Sequence, residues 1–190
     1  MKTPVKKTLS YLLAVGLAAG ICLNVGAQEL SLSTNLADYA AGGTLNIGAA
    51  YGFSRHWTMN AQARYNPFSF GEGSGEVLQK QRTVAAGTRW WPWHMYSGWW
   101  MGAGVQWQEF AEGGRSGPET SEGDRFGGSL SAGYSTMLGT HLNLDFGLGL
   151  WGGYSVYTTY ACQRCGRRLD SGSRAFILPN ELIIGISYIF

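Results

Sequence analysis

Residues 141–151 read His-Leu-Asn-Leu-Asp-Phe-Gly-Leu-Gly-Leu-Trp, and their period is two. Leu142, Leu144, Phe146, Leu148 and Leu150 fall on one face of an extended chain, with Asn143, Asp145, Gly147 and Gly149 on the other. A water-soluble sandwich or lipocalin-like barrel would bury the apolar face. A membrane barrel would turn it to lipid and turn the small polar face inward. Residues 44–53 alternate in the same way, with Leu45, Ile47, Ala49, Tyr51 and Phe53 against Asn46, Gly48, Ala50 and Gly52. Residues 57–66 favour the membrane reading, because Thr58, Asn60, Gln62, Arg64 and Asn66 make a face too polar for a dry core.

Weaker alternation over 30–39, 81–90, 99–109, 125–136 and 181–190 completes a set of eight strands, each about the ~10 residues that a tilted strand needs to cross a bilayer. The expected fold is all-β, an eight-stranded antiparallel transmembrane β-barrel with a filled polar interior. Connections 54–56, 91–98 and 137–140 are short and read as periplasmic turns. Connections 40–43, 67–80, 110–124 and 155–180 read as outer loops, which leaves both mature termini periplasmic. Aromatic residues gather at strand ends, as an interfacial ring prefers. One girdle would hold Phe53, Trp57, Trp90, Trp91, Trp93, Trp99 and Phe190, the other Tyr39, Tyr65, Phe68, Trp107, Phe110, Trp151 and Tyr154.

Residues 1–27 have the form of a cleaved signal peptide: Lys2, Lys6 and Lys7, an apolar stretch from Leu9 to Leu17, then Val25-Gly26-Ala27. Residues 28–190 then form one domain. A lipid anchor at Cys22 is disfavoured by the bulky Ile21 before it. Removing residues 1–27 lowers Lys+Arg from 14 to 11 against 12 acidic residues, so the net charge of +2 becomes −1. A nearly neutral chain gives no electrostatic case for nucleic acid. With 29 glycines and no long apolar run after residue 27, a helical membrane protein is excluded, whereas a barrel needs only alternate residues to be apolar.

The final strand, with Gly185, Tyr188 and Phe190, resembles the terminal signal of outer-membrane barrels, which implies recognition by the barrel-assembly machinery. Thr34-Asn35-Leu36, Tyr65-Asn66-Pro67, Arg89-Trp90-Trp91 and the loop Cys162-Gln163-Arg164-Cys165-Gly166 resemble a Bacteroidetes outer-membrane family catalogued as domain of unknown function 3575. The resemblance implies a small barrel and supplies no activity.

Several constellations could carry chemistry. Cys162 and Cys165 read first as a disulfide in an oxidising compartment, with half a zinc site or free thiols as alternatives. Arg164, Arg167, Arg168 and Arg174 face an acidic stretch holding Glu109, Glu112, Glu119, Glu122 and Asp124. These are solvated loops of opposite charge or, as the alternative, an arginine cluster for lipopolysaccharide phosphates or an acidic partner. Inside, Arg64 and Arg89 are expected to share Asp145, with Asn60, Gln62 and Asn143 completing a structural network. His56, His94 and His141 map to the periplasmic ends, away from the outer leaflet where a lipid-A-modifying enzyme would work. Residues 147–152 match a dinucleotide fingerprint by spacing, but no helix follows. No catalytic residue, cofactor or metal is expected. The leading reading is a structural, scaffolding or accessory-subunit barrel of the Gram-negative outer membrane, in contact with lipid, lipopolysaccharide and possible outer-membrane protein partners. A lipid-modifying enzyme and a narrow pore are the rival readings.

Overall fold

The computed structural model describes residues 30–40, 42–70, 77–114, 117–162 and 166–190. Residues 1–29, and with them the signal peptide, lie outside this set. One antiparallel sheet accounts for nearly all of it: β1 (Leu30–Asn35), β2 (Leu45–Ser54), β3 (Trp57–Asn66), β4 (Ser69–Phe70), β5 (Val77–Trp90), β6 (Gly98–Gly113), β7 (Thr120–Met137), β8 (Leu142–Tyr160) and β9 (Arg168–Ile189), with one helical turn, α1 (Leu36–Ala40). The sheet closes on itself. β1 pairs with β9 from Ser31↔Ile189 to Asn35↔Gly185, and β3 pairs with β5 from Trp57↔Trp90 to Asn66↔Gln81. The two-residue β4 hangs on the far end of β5 as a ninth strand and stands outside the ring.

The two faces of this ring are inverted relative to a soluble protein. On β8, Leu148 is 68% exposed and Leu150 60%, whereas Asn143 is 1% and Asp145 6%. Cross-strand registers carry the inversion round the sheet. The outward row Leu30–Tyr51–Met59–Thr88–Ala103–Leu130–Leu150 is almost wholly apolar, and the inward row Asn46–Arg64–Thr83–Gln108–Arg125–Ser155–Arg174 is wholly polar. From Asp145 a row passes through Gly185 and Asn35, continues in the β1–β2 register to Asn46 and Arg64, and returns to β8 at Ser155. The displacement is 155 − 145, ten positions. With ~3.3 Å per residue and ~4.8 Å between strands, the strands tilt about 40° from the ring axis.

Several expectations need correction. The first strand stops at Asn35, because that side chain diverts the chain. Its Oδ1 accepts from Ala37 N (3.3 Å) and Ile184 N (2.9 Å), and its Nδ2 donates to Leu182 O (3.0 Å). The expected loops 110–124 and 155–180 are largely strand: β6–β7 and β8–β9 are tall hairpins. Their upper parts carry polar residues on both faces, which reads as loop, yet a ladder beyond an apolar belt needs no apolar face. Trp91, Phe110 and Trp151 are buried inside instead of joining the girdles. Strand parity places them there: Phe110 follows Gln106 and Gln108 inward, and Trp151 follows Asn143 and Asp145. The girdle members Phe53, Trp57, Trp90, Trp93, Trp99 and Phe190 are exposed at one end, as are Tyr39, Tyr65, Phe68, Trp107 and Tyr154 towards the other.

Candidate functional site

The ring has a turn end, holding the tight turns and both chain ends of the sheet, and a loop end. At the turn end, the segment between β5 and β6 folds back into the lumen. Tyr96 (φ 61°) and Gly98 (φ 81°) take the left-handed backbone that this reversal needs. Trp91, Tyr96, Trp100, Ile183 and Ile189 pack there as an apolar plug. Trp91 Nε1 donates to Thr58 Oγ1 (3.1 Å), Tyr96 OH donates to Ala50 O (3.4 Å), and Asn143 Nδ2 donates to the carbonyl of Tyr96. His56 and His141 bond the carbonyls of Trp91 (2.9 Å) and Ile189 (2.8 Å), while His94 sits in a bridge with Ser97. All three histidines are therefore at the turn end.

Above the plug the lumen is polar and nearly filled, with cavities of only about 50 and 40 Å³. The expected sharing of Asp145 by two arginines is not what forms. Asp145 accepts from Ser135 and Ser187 on the flanking strands (3.1 Å to Ser187), and Arg64 stands four strands away round the ring. Arg64 instead pairs with Asp38 (3.2 Å), carried inward by α1, and with Glu181, which also accepts from Gln62 Nε2 (3.0 Å). Burial pushes the Asp38 carboxyl above its usual range; Arg64 pulls it back, Glu181 adds to the rise and the Asn35 bond opposes it. Arg89 has no ion pair among the described residues and lies over the Trp100 ring at 4.2 Å. Asn60 lines both small cavities, and its Oδ1 has no partner among the described residues.

The polar positions that the sequence reading left without a role turn out to be caps. Asn35 closes β1, as described. Asn66, 1% exposed, closes β3: its Nδ2 donates to Gly42 O and Thr44 Oγ1 (both 3.1 Å) and its Oδ1 accepts from Phe68 N (2.9 Å). An asparagine followed by Leu or Pro after an alternating run was the available signal.

At the loop end the tall hairpins border a vestibule of about 610 Å³. Here the acidic stretch divides by parity. Glu109, Glu122 and Asp124 face outward, where Arg82 meets Glu109 as an exposed pair at 3.6 Å. Glu112 faces inward and accepts from both Nη atoms of Arg125 (2.8 and 3.1 Å). The arginine cluster divides too. Register slips between Thr159 and Tyr160, so Arg168 pairs with Tyr160 on the outer side while Arg174, opposite Ser155, faces the vestibule. Arg167 is exposed, and Arg164 and Cys165 lie outside the described residues, as does the pairing expected of Cys162 with Cys165. Among the described residues no group of three or more His, Cys, Asp or Glu could hold a metal ion.

A family model described as a protein of unknown function, DUF3575, matches residues 12–190, and the chain belongs to that family. No curated protein matches the chain.

Proposed function

We propose that the chain is an eight-stranded transmembrane β-barrel of the Gram-negative outer membrane, exported with a signal peptide over residues 1–27, that serves as a scaffold or accessory subunit without catalysis. The observation that carries this reading is the inversion of the sheet's faces. A closed ring whose outside is apolar and whose inside is hydrogen-bonded suits hydrocarbon, where every backbone group must be paired internally. On β6 the outward run from Trp99 to Trp107 spans eight residue rises. At ~3.3 Å each and a tilt of ~40°, that is about 20 Å along the axis, close to the ~25 Å band of such barrels. Beyond it come Glu109 on β6, Arg82 and Lys80 on β5, and Asp124 on β7, charges suited to headgroup depth. The plug argues against a pore, and the placement of the histidines at the turn end argues against chemistry on outer-leaflet lipid. The motif asparagines act as strand caps, which fits a structural role.

The purified chain should run as a compact band on a cold detergent gel and shift on boiling. Protease added to intact cells should cut near 71–76, 114–119 and 161–167. Cleavage at Arg55 would sink the orientation. The cysteines should form a disulfide, which closes a ring too small to restrict the unfolded chain much. Cys162→Ser should therefore leave the gel shift intact while raising protease sensitivity over 161–167. Two alkylatable thiols in protein taken directly from membranes would refute the bond.

A further inference from the structure

We propose that the loop-end vestibule is a binding site for a small saccharide carrying one oxyanion, with Arg174 as its principal contact. The inference needs only the folded chain and stands whether or not the ring spans a membrane.

Registers place Gln108, Arg125, Ser155 and Arg174 side by side on the inner face, and of these Arg125 and Arg174 line the vestibule. The two arginines differ. Arg125 lies flat on Phe110 at 3.6 Å and is offset by Glu112. Arg174 lies over the Tyr157 ring at 5.2 Å and has no carboxylate within ion-pair distance among the described residues. A stacked guanidinium keeps its edge N–H groups free, and that fork matches a carboxylate or phosphate.

The rest of the wall decides what the oxyanion is attached to. Gln79 offers an amide, Ser121 and Thr159 a mutually bonded pair of hydroxyls (2.9 Å), and Glu112 and Glu119 acceptors, beside apolar surface from Leu78, Phe110, Pro118 and Tyr157 on which a sugar's C–H face can rest. Planar polar side chains of this kind bond neighbouring sugar hydroxyls in pairs. A predominantly apolar ligand would want an apolar lining. Glu112 is taken up by Arg125, which leaves Arg174 as the cation open to one oxyanion, while the carboxylates of Glu119 and of Asp170, held by the Tyr157 hydroxyl (3.4 Å), disfavour a polyanion. A volume of about 610 Å³ accommodates one or two sugar rings.

Calorimetric titration of the refolded full chain in detergent tests this with three probes: a disaccharide of one uronic acid and one neutral sugar, glucose 6-phosphate and neutral maltose. At least one anionic probe should bind roughly tenfold or more tighter than maltose, and which one does so identifies carboxylate or phosphate as the source. Arg174→Gln should abolish the difference, Arg174→Lys should retain part of it, and Arg168→Gln, which faces outward, should leave it unchanged. The boiling-dependent gel shift reports whether each variant is folded. Should Arg174→Gln fail to fold, wild-type affinity for the anionic probe must still fall as NaCl is raised. Equal binding of all three probes, absence of binding, equal loss in Arg168→Gln, or salt-independent affinity would each overturn the proposal.

Discussion

Replacing Arg64 by leucine should destabilise the folded chain by about 3–5 kcal/mol, since it strands the charges of a buried cluster. Arg64 is 9% exposed at its side chain, and its partners Asp38 and Glu181 are 15% and 12% exposed. The intact cluster already holds two carboxylates against one guanidinium, so without Arg64 it carries two uncompensated negative charges. Arg64→Leu combined with Asp38→Asn and Glu181→Gln should recover most of the loss, because a neutral cluster carries no unpaired charge. The pH dependence has a defined sign. Burial raises the Asp38 carboxyl even with Arg64 present, and removing Arg64 removes what pulls it down. A carboxyl whose folded pKa is raised destabilises the fold above that pKa, and the penalty disappears as pH falls below its unfolded value, near 3.8. Urea unfolding in detergent at pH 8 and at pH 4.5 measures both effects. A loss that is small, or that grows on acidification, would show that Arg64 does not hold this cluster together.

The cluster marks the boundary of what the amino-acid sequence discloses. Alternation at 141–151 and 57–66 announces which side chains face in and which face out, because side-chain parity is a local property of an extended chain. The all-β antiparallel sheet and its turn end follow from that pattern. Partner choice inside the lumen does not, because it depends on shear. Strand order sets Arg64 four strands from Asp145, and a displacement of ten positions round the ring sets their relative heights; no single strand encodes either. Asp38 was hidden for a different reason: the alternation of 30–39 continues on paper through α1, while the capping bonds of Asn35 end the strand. Phe110 and Trp151 stand where a girdle would lie, yet they sit on inward positions of their own strands, and parity outweighs proximity to a strand end.

The indole of Trp100 tests the inward side of that parity. Trp100 is 1% exposed and packs 6.3 Å from the Trp91 ring, with the Arg89 guanidinium 4.2 Å above its own. Two glycines make the space. A Cβ at Gly133 would collide with the carbonyl of Phe146 and the Trp100 indole, and one at Gly147 would stand 3.0 Å from the same ring. Trp100→Ala leaves a cavity between these glycines that no side chain can fill, and should cost about 3–5 kcal/mol. It also removes the ring face on which Arg89 rests, in a lumen where that cation has no ion pair. Trp100→Phe should lose much less. It keeps an aromatic face under Arg89, and the indole Nε1–H that it discards is buried without a partner among the described residues. The neighbouring Trp99 is 60% exposed on the outward face, so Trp99→Ala should have a small effect on unfolding in detergent. Equilibrium unfolding of the three variants gives the expected order: Trp100→Ala far below wild type, Trp100→Phe and Trp99→Ala near it. Equal losses for the two alanine variants would mean that the plug is not the apolar core of this fold.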